Sequence, residues 1–124
     1  MLTVGVDILE LYRLKRVLDS WGEYFLNRIY TQGEQDYCRS RIPQLAARFA
    51  AKEAVMKALG TGIRGVGWRE IEVTRKPGQA PAIFLHGRAL KKAGDIKVNQ
   101  IALSLSHSND YAIASVVMSL DENS

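Results

Sequence analysis

The stretch RFAAKEAVMKALGTG, residues 48–62, decides how this chain is read. Its alanines, with Phe49, Val55, Met56 and Leu59, suit a buried helix, yet it carries Arg48, Lys52, Glu53 and Lys57 and runs into glycines. At about 100° per residue, Leu45, Ala46, Phe49, Met56 and Leu59 share one stripe, and Glu53 falls inside it. Lys57 follows Glu53 by one turn. Arg48 and Lys52 are a like-charge pair one turn apart, which mildly destabilises a helix. A carboxylate on a buried stripe must be paired or hold a metal, because burying a bare charge is very costly. Two readings of Glu53 therefore stand: an intrahelical pair with Lys57, or a ligand for a cation. Pro43 suits the first turn of this helix and Gly60 its C-cap. The glycines of GTG follow a helix instead of preceding one, so they are not a P-loop. A phosphate near this negative helix end needs Lys57 or a cation beside it.

Upstream, LTVGVDIL alternates Leu2, Val4, Val6 and Ile8 against Thr3, Gly5 and Asp7, the pattern of a strand. Asp7 stands between apolar neighbours, two residues after a glycine that removes bulk. It is either a solvated strand-end acid or, together with Glu53, one of two carboxylates able to hold a hard divalent ion. Magnesium is commonly bound by one or two carboxylates plus substrate phosphates. LYRLKRVLDSW has helical spacing and Gly22 stops it; EYFLNRIY forms a second short helix. TQGE at 31–34 has capping-box spacing, which predicts a helix from Thr31 to about Ser40.

Downstream the period changes. WREIEVTR and AIFLHG read as strands joined by the turn KPGQAP, and RALKKAG as a short helix closed by Gly94. IALSLSHS and YAIASVVMSL are strands joined at SND. The sum is α+β: one domain over 1–120, a small antiparallel sheet with helices packed on one face, and a polar tail at 121–124. His107, at a strand end beside a tight turn, is either a turn residue or part of a site. His86 has no supporting neighbours and receives no role.

The chain has 124 residues, a net charge of +4 and a pI near 9.4. That charge suits an anionic partner: nucleic acid, a phosphate-rich small molecule or an acidic protein. No apolar run approaches the roughly 18 residues of a membrane span. MLTVGVDILE lacks the basic leader of a secretory signal. Cys38 is alone, which excludes an internal disulfide and a cysteine metal cluster. A cytoplasmic location fits. A small nucleic-acid-binding module is the competing reading. Its strands, however, lack the aromatics interleaved with basic residues that stack bases, and it leaves the two carboxylates unexplained.

Taken together, GVDILEL, RFAAKEAVMKALGTG, WREIEV and SLSHSNDYAIASVV, in this order and spacing, resemble the holo-acyl-carrier-protein synthases, the short bacterial 4′-phosphopantetheinyl transferases. The resemblance covers essentially the whole chain. It implies that coenzyme A is the donor and an apo-acyl carrier protein the acceptor, in fatty acid biosynthesis. The carrier's serine attacks the β-phosphate, and adenosine 3′,5′-bisphosphate leaves. It implies Mg²⁺ on Asp7 and Glu53, with Lys57 at the phosphates and the reacting centre. Arg48, Lys57, Gly60, Thr61, Gly62 and His107 match positions lining the coenzyme A site. A metal-bound water, or a carboxylate acting through one, would serve as the base, and the sequence does not decide between them. Larger transferases of the superfamily have a third acid two residues after the first; here that position is Leu9, as in the small type. The large type fuses two copies of the fold. A single copy must complete its pocket by association, and the resemblance implies that it does so as a homotrimer. Carrier proteins present an acidic helix, and Arg13, Lys15, Arg16 and Arg28 are the residues placed to meet it, unless they form only a solvated face. Where the family often has further basic residues between the first two helices, this chain has WGEY.

Overall fold

The computed structural model describes residues 1–122, so the expected tail at 121–124 lies partly outside the described residues. The elements run β1 Leu2–Glu10, α1 Leu11–Trp21, α2 Glu23–Ile29, α3 Gln32–Cys38 and α4 Ile42–Leu59. A single turn, α5 Gly62–Gly65, and a 3-10 turn, Trp68–Glu70, follow. Then come β2 Ile71–Thr74, β3 Ala82–Leu85, α6 Gly87–Asp95, β4 Val98–His107 and β5 Tyr111–Leu120. The α+β class holds, but the strands divide into two antiparallel sheets: a three-stranded one ordered β1-β5-β4 and a ribbon of β2 and β3.

Period-two alternation creates two faces on β1, and α4 selects which is inside. Leu2, Val4, Val6 and Ile8 are 52–65% exposed, while Thr3, Gly5 and Asp7 face α4. The reason is steric. A Cβ on Gly5 would stand 1.9 Å from the Ala54 carbonyl oxygen and 3.1 Å from the Ala58 nitrogen. Only glycine lets the helix backbone lie this close, and the alanines of α4 keep its own side thin. β5 contributes Ala112, Ala114, Val116 and Met118 to the same packed layer, and β4 adds Ile101, Leu103 and Leu105.

The helix ends are where local chemistry puts them. Thr31 caps α3: its hydroxyl accepts from the Glu34 amide, and the Glu34 carboxylate accepts from the Thr31 amide. α3 stops at Cys38, short of the expected Ser40, because Arg39 and Ser40 turn to φ 50° and 62°. The Arg41 guanidinium then donates to the Cys38 and Tyr37 carbonyls. Gly60 closes α4 at φ 77°.

The deepest polar group belongs to α4. Lys52 is fully buried, and its Nζ donates to Glu34 Oε1 at 2.7 Å, to the Trp68 carbonyl at 3.0 Å and to the Ile71 carbonyl. Burial pulls the ammonium pKa down, opposed by the carboxylate. Lys52 therefore does not share Arg48's environment, and the expected repulsion between them is replaced by separate partners. Arg48 leans on Tyr37, with its guanidinium carbon 4.2 Å from the ring centre.

Candidate active site

β1 and α4 together carry the acids that the sequence singles out. Because Gly5 brings the helix close, Asp7, two residues on and on the same face, meets the last turns of α4. Lys57 Nζ donates to Asp7 Oδ1 at 3.1 Å and to the Val6 carbonyl at 2.8 Å. Among the described residues no ion pair joins Lys57 to Glu53, so the intrahelical pairing is not the one formed. The partner of Lys57 lies 50 residues away in sequence.

Asp7 Oδ2 is buried and has no hydrogen-bond partner among the described residues. Glu53 lines the same cleft, and its carboxyl pKa is raised, first by burial and then by the charge of Asp7, with Lys57 and Arg13 opposing. The charge of Asp7 disfavours that of Glu53, and Asp7 Oδ2 remains available, so a cation placed between the two side chains would favour both. A hard divalent ion such as Mg²⁺ fits this donor set: two carboxylates, with water or phosphate oxygens completing the shell. Among the described residues no cluster of three or more metal-ligating side chains occurs, so a fully protein-made cage is not what this site offers.

The cleft has a volume of about 350 Å³. Arg13 also lines it, and Phe49, one turn before Glu53 on α4, joins Ile63 and Trp68 as its apolar lining. Phe49 stacks on Trp68 at 4.8 Å between ring centres, and on Phe25 at 6.1 Å. At the end of α4, the Gly60 amide bonds the Lys57 carbonyl and the Thr61 amide the Met56 carbonyl, both at 3.1 Å. Gly60 and Gly62 have φ 77° and 63°, a region that favours glycine. The GTG loop thus begins in the turn that carries Lys57.

Arg48 and His107 lie elsewhere. Nine residues separate Arg48 from Lys57, about two and a half turns, which puts them on opposite faces of α4 and roughly 13 Å apart along its axis. Arg48, Arg75 and His107 line a second cavity of about 110 Å³. Arg48 Nε is buried there and has no hydrogen-bond partner among the described residues. One chain therefore brings Asp7, Glu53, Lys57 and the loop together and keeps Arg48 with His107 apart from them. Arg75 was not singled out, since nothing in its local sequence marks it. The Phe49–Trp68 stack was also missed, although Phe49 stands one turn before Glu53 on α4 and Trp68 lies soon after that helix. Arg13 and Arg16 border a groove of about 220 Å³ with Trp21, Arg28 is exposed at the end of α2, and Lys15 is paired with Asp19 at 2.8 Å.

Residues 3–116 match the 4′-phosphopantetheinyl transferase superfamily, and the chain belongs to it. It is a transferase of the small, single-copy type. It is 49% identical to the holo-acyl-carrier-protein synthase of Dehalococcoides mccartyi over 117 residues, covering 94% of this chain and 98% of that one. With the synthase of Koribacter versatilis it shares 45% over 122 residues, 95% and 98% of the two chains. The crystal structure of the Helicobacter pylori holo-acyl-carrier-protein synthase in complex with coenzyme A superposes with a TM-score of 0.85 at 31% identity, over 94% of this chain and 99% of that one.

Proposed function

We propose that the chain transfers the 4′-phosphopantetheine group from coenzyme A to the serine of an apo-acyl carrier protein, with Mg²⁺ held between Asp7 and Glu53. The observation that carries the metal assignment is the buried, unpartnered Asp7 Oδ2 beside the raised Glu53 carboxyl. Asp7 and Glu53 would hold the ion, which would supply positive charge against the diphosphate. The Lys57 side chain is 54% exposed while tethered to Asp7, so its ammonium can meet the β-phosphate as the serine oxygen attacks. A fixed cation aimed at developing charge is worth most in a site that excludes water. The stacked Phe49 and Trp68 give the cleft beside Glu53 an apolar side. The new bond joins the serine oxygen to the β-phosphorus; the old phosphoanhydride bond breaks and adenosine 3′,5′-bisphosphate leaves.

Arg48 and His107, with the loop Gly60–Gly62, serve the nucleotide half of coenzyme A. Since Arg48 faces away from Lys57, the pocket is completed by association: Arg48 and His107 come from one subunit, and Asp7, Glu53 and Lys57 from the next, in a homotrimer. The uncovered apolar face of β1, continued by Ile113 at 42% exposure, supports assembly. Arg13, Arg16 and Arg28 receive the acidic face of the carrier. The reaction belongs to fatty acid biosynthesis in the cytoplasm; no helix among the described residues is long and apolar enough to cross a membrane.

The test is the mass gain of an apo-carrier incubated with coenzyme A and Mg²⁺. Asp7→Asn and Glu53→Gln should each lose transfer by a hundredfold or more at limiting Mg²⁺ while keeping the wild-type circular dichroism spectrum. Wild-type rates in either variant at limiting Mg²⁺ would remove the metal from these residues.

A further inference from the structure

The segment that leads from the catalytic helix to the cleft wall is soft. Residues 60–67, GTGIRGVG, hold four glycines in eight positions, and Val66 is their single buried side chain. This tether cannot by itself fix where Trp68 stands relative to Glu53, because glycine leaves the backbone its widest freedom. Yet Trp68 packs in one place, stacked on Phe49 at 4.8 Å and 23°. Something else must set that position.

Lys52 is the residue before Glu53 on α4. Its Nζ reaches off the helix to the Trp68 carbonyl at 3.0 Å and to the Ile71 carbonyl, which brackets the 3-10 turn at both ends. Glu34 receives the same ammonium at 2.7 Å, and its second oxygen accepts the Val73 amide at 2.8 Å. Four elements thus meet on one buried charge pair: α3, α4, the Trp68 turn and β2. We propose that Lys52 is a positioning residue for phosphopantetheine transfer. Held by Glu34, it sets the spacing between the helix that carries Glu53 and the Trp68 wall of the cleft.

A charge pair that served stability alone could be exchanged for apolar residues of similar size with little loss. A positioning pair could not, because a methyl or isobutyl group holds no carbonyl at a set distance. Lys52→Met should lower kcat about 10- to 100-fold, the scale of a 1 Å misplacement near the chemistry. KM for coenzyme A should change less than about threefold, since the phosphates are met by groups that Lys52 does not touch.

The deciding variant is the double exchange Glu34→Leu with Lys52→Met, which leaves no unpaired buried charge. It should regain the stability lost to the unpaired Glu34 charge, less what the Thr31 cap and the Val73 amide bond contribute, but not the kcat. In a Trp21→Phe background Trp68 is the only tryptophan, and its near-ultraviolet circular dichroism band should fall in both variants. Trp68→Leu should cost no further activity when added to Lys52→Met, because both act through the same wall. If Lys52→Met does not fold, Glu34→Gln, which keeps one acceptor, should show the same loss of kcat and Trp68 signal in smaller measure. A stable double variant with kcat within twofold of wild type would overturn the proposal. So would full additivity with Trp68→Leu, or a fall in kcat with the Trp68 band unchanged.

Discussion

Replacing Gly5 by alanine tests the central packing relation of the fold and the site at once. The added Cβ would lie 1.9 Å from the Ala54 carbonyl oxygen and 2.8 Å from its carbon. A comfortable carbon–oxygen contact is about 3.3 Å, so α4 must retreat by roughly 3.3 − 1.9, about 1.4 Å. Both obstacles are backbone, and no side chain can swing aside to absorb the strain. Overpacking of this kind costs about 1–3 kcal/mol, and the upper end applies where a helix backbone must move. For a chain of this length that is a fall in Tm of very roughly 10 °C. The same retreat stretches the Lys57–Asp7 contact from 3.1 Å to about 4.5 Å, beyond hydrogen-bond range. Transfer should then drop by about a hundredfold even at temperatures where the variant is folded. Thermal denaturation, together with steady-state kinetics at 15 °C, measures both effects. A Tm within 1 °C of wild type and a rate within twofold would mean that the close approach of β1 and α4 neither limits packing nor sets the site.

Three further outcomes follow from the same geometry. Arg13→Glu with Arg16→Glu should lower kcat/KM for the carrier about tenfold, more at low salt where screening is weaker; comparable losses in kcat/KM for coenzyme A would place these arginines in the nucleotide pocket instead. Val6→Lys, on the exposed face of β1, should yield a folded monomer by sedimentation equilibrium with little activity, and a fully active monomer would refute assembly as a requirement. Because burial and Asp7 raise the folded-state pKa of Glu53, the metal-free protein gains from Glu53 at acidic pH, and the gain disappears as pH rises through that raised value. Denaturation in a chelator from pH 4 to 8 should therefore show Glu53→Gln gaining on wild type as pH rises; an unchanged difference across the range would contradict the shift.

Local signals and long-range ones differed in how legible they were. The capping box at Thr31, the stop at Gly60 and the alternation of β1 are governed by neighbouring residues, and each appeared where its spacing put it. Alternation along β1 defines two faces but not which is covered. That depends on Gly5 meeting Ala54, a contact between residues 49 positions apart. The acids Asp7 and Glu53 stood out because charge in an apolar setting is costly. The partner of Lys57 was not legible, since helical spacing offers Glu53 while the fold offers Asp7 first. Lys52 looked like half of a repulsive pair with Arg48, because Glu34 read only as a capping residue. Its second carboxylate oxygen and its burial belong to tertiary structure. Likewise Arg48 and Lys57 are close in sequence but half a turn out of phase on α4, so proximity along the chain misstates their relation in space.

The strand order β1-β5-β4 has a consequence for how the protein is made. Among the described residues β1 pairs only with β5, with Val6 opposite Ser115, so the strand that carries Asp7 waits for a partner encoded 109 residues later. At about 5–20 residues per second on the ribosome, that wait lasts roughly 5–20 s. Throughout it, an apolar strand with unpaired amides stands available to any passing edge, and Asp7 has no fixed position beside Lys57. Chaperone cover during synthesis is therefore most valuable for the first ten residues. A polypeptide interrupted before Tyr111 lacks the central strand of this sheet, and with it the pairing that holds β1, the strand of Asp7, in register.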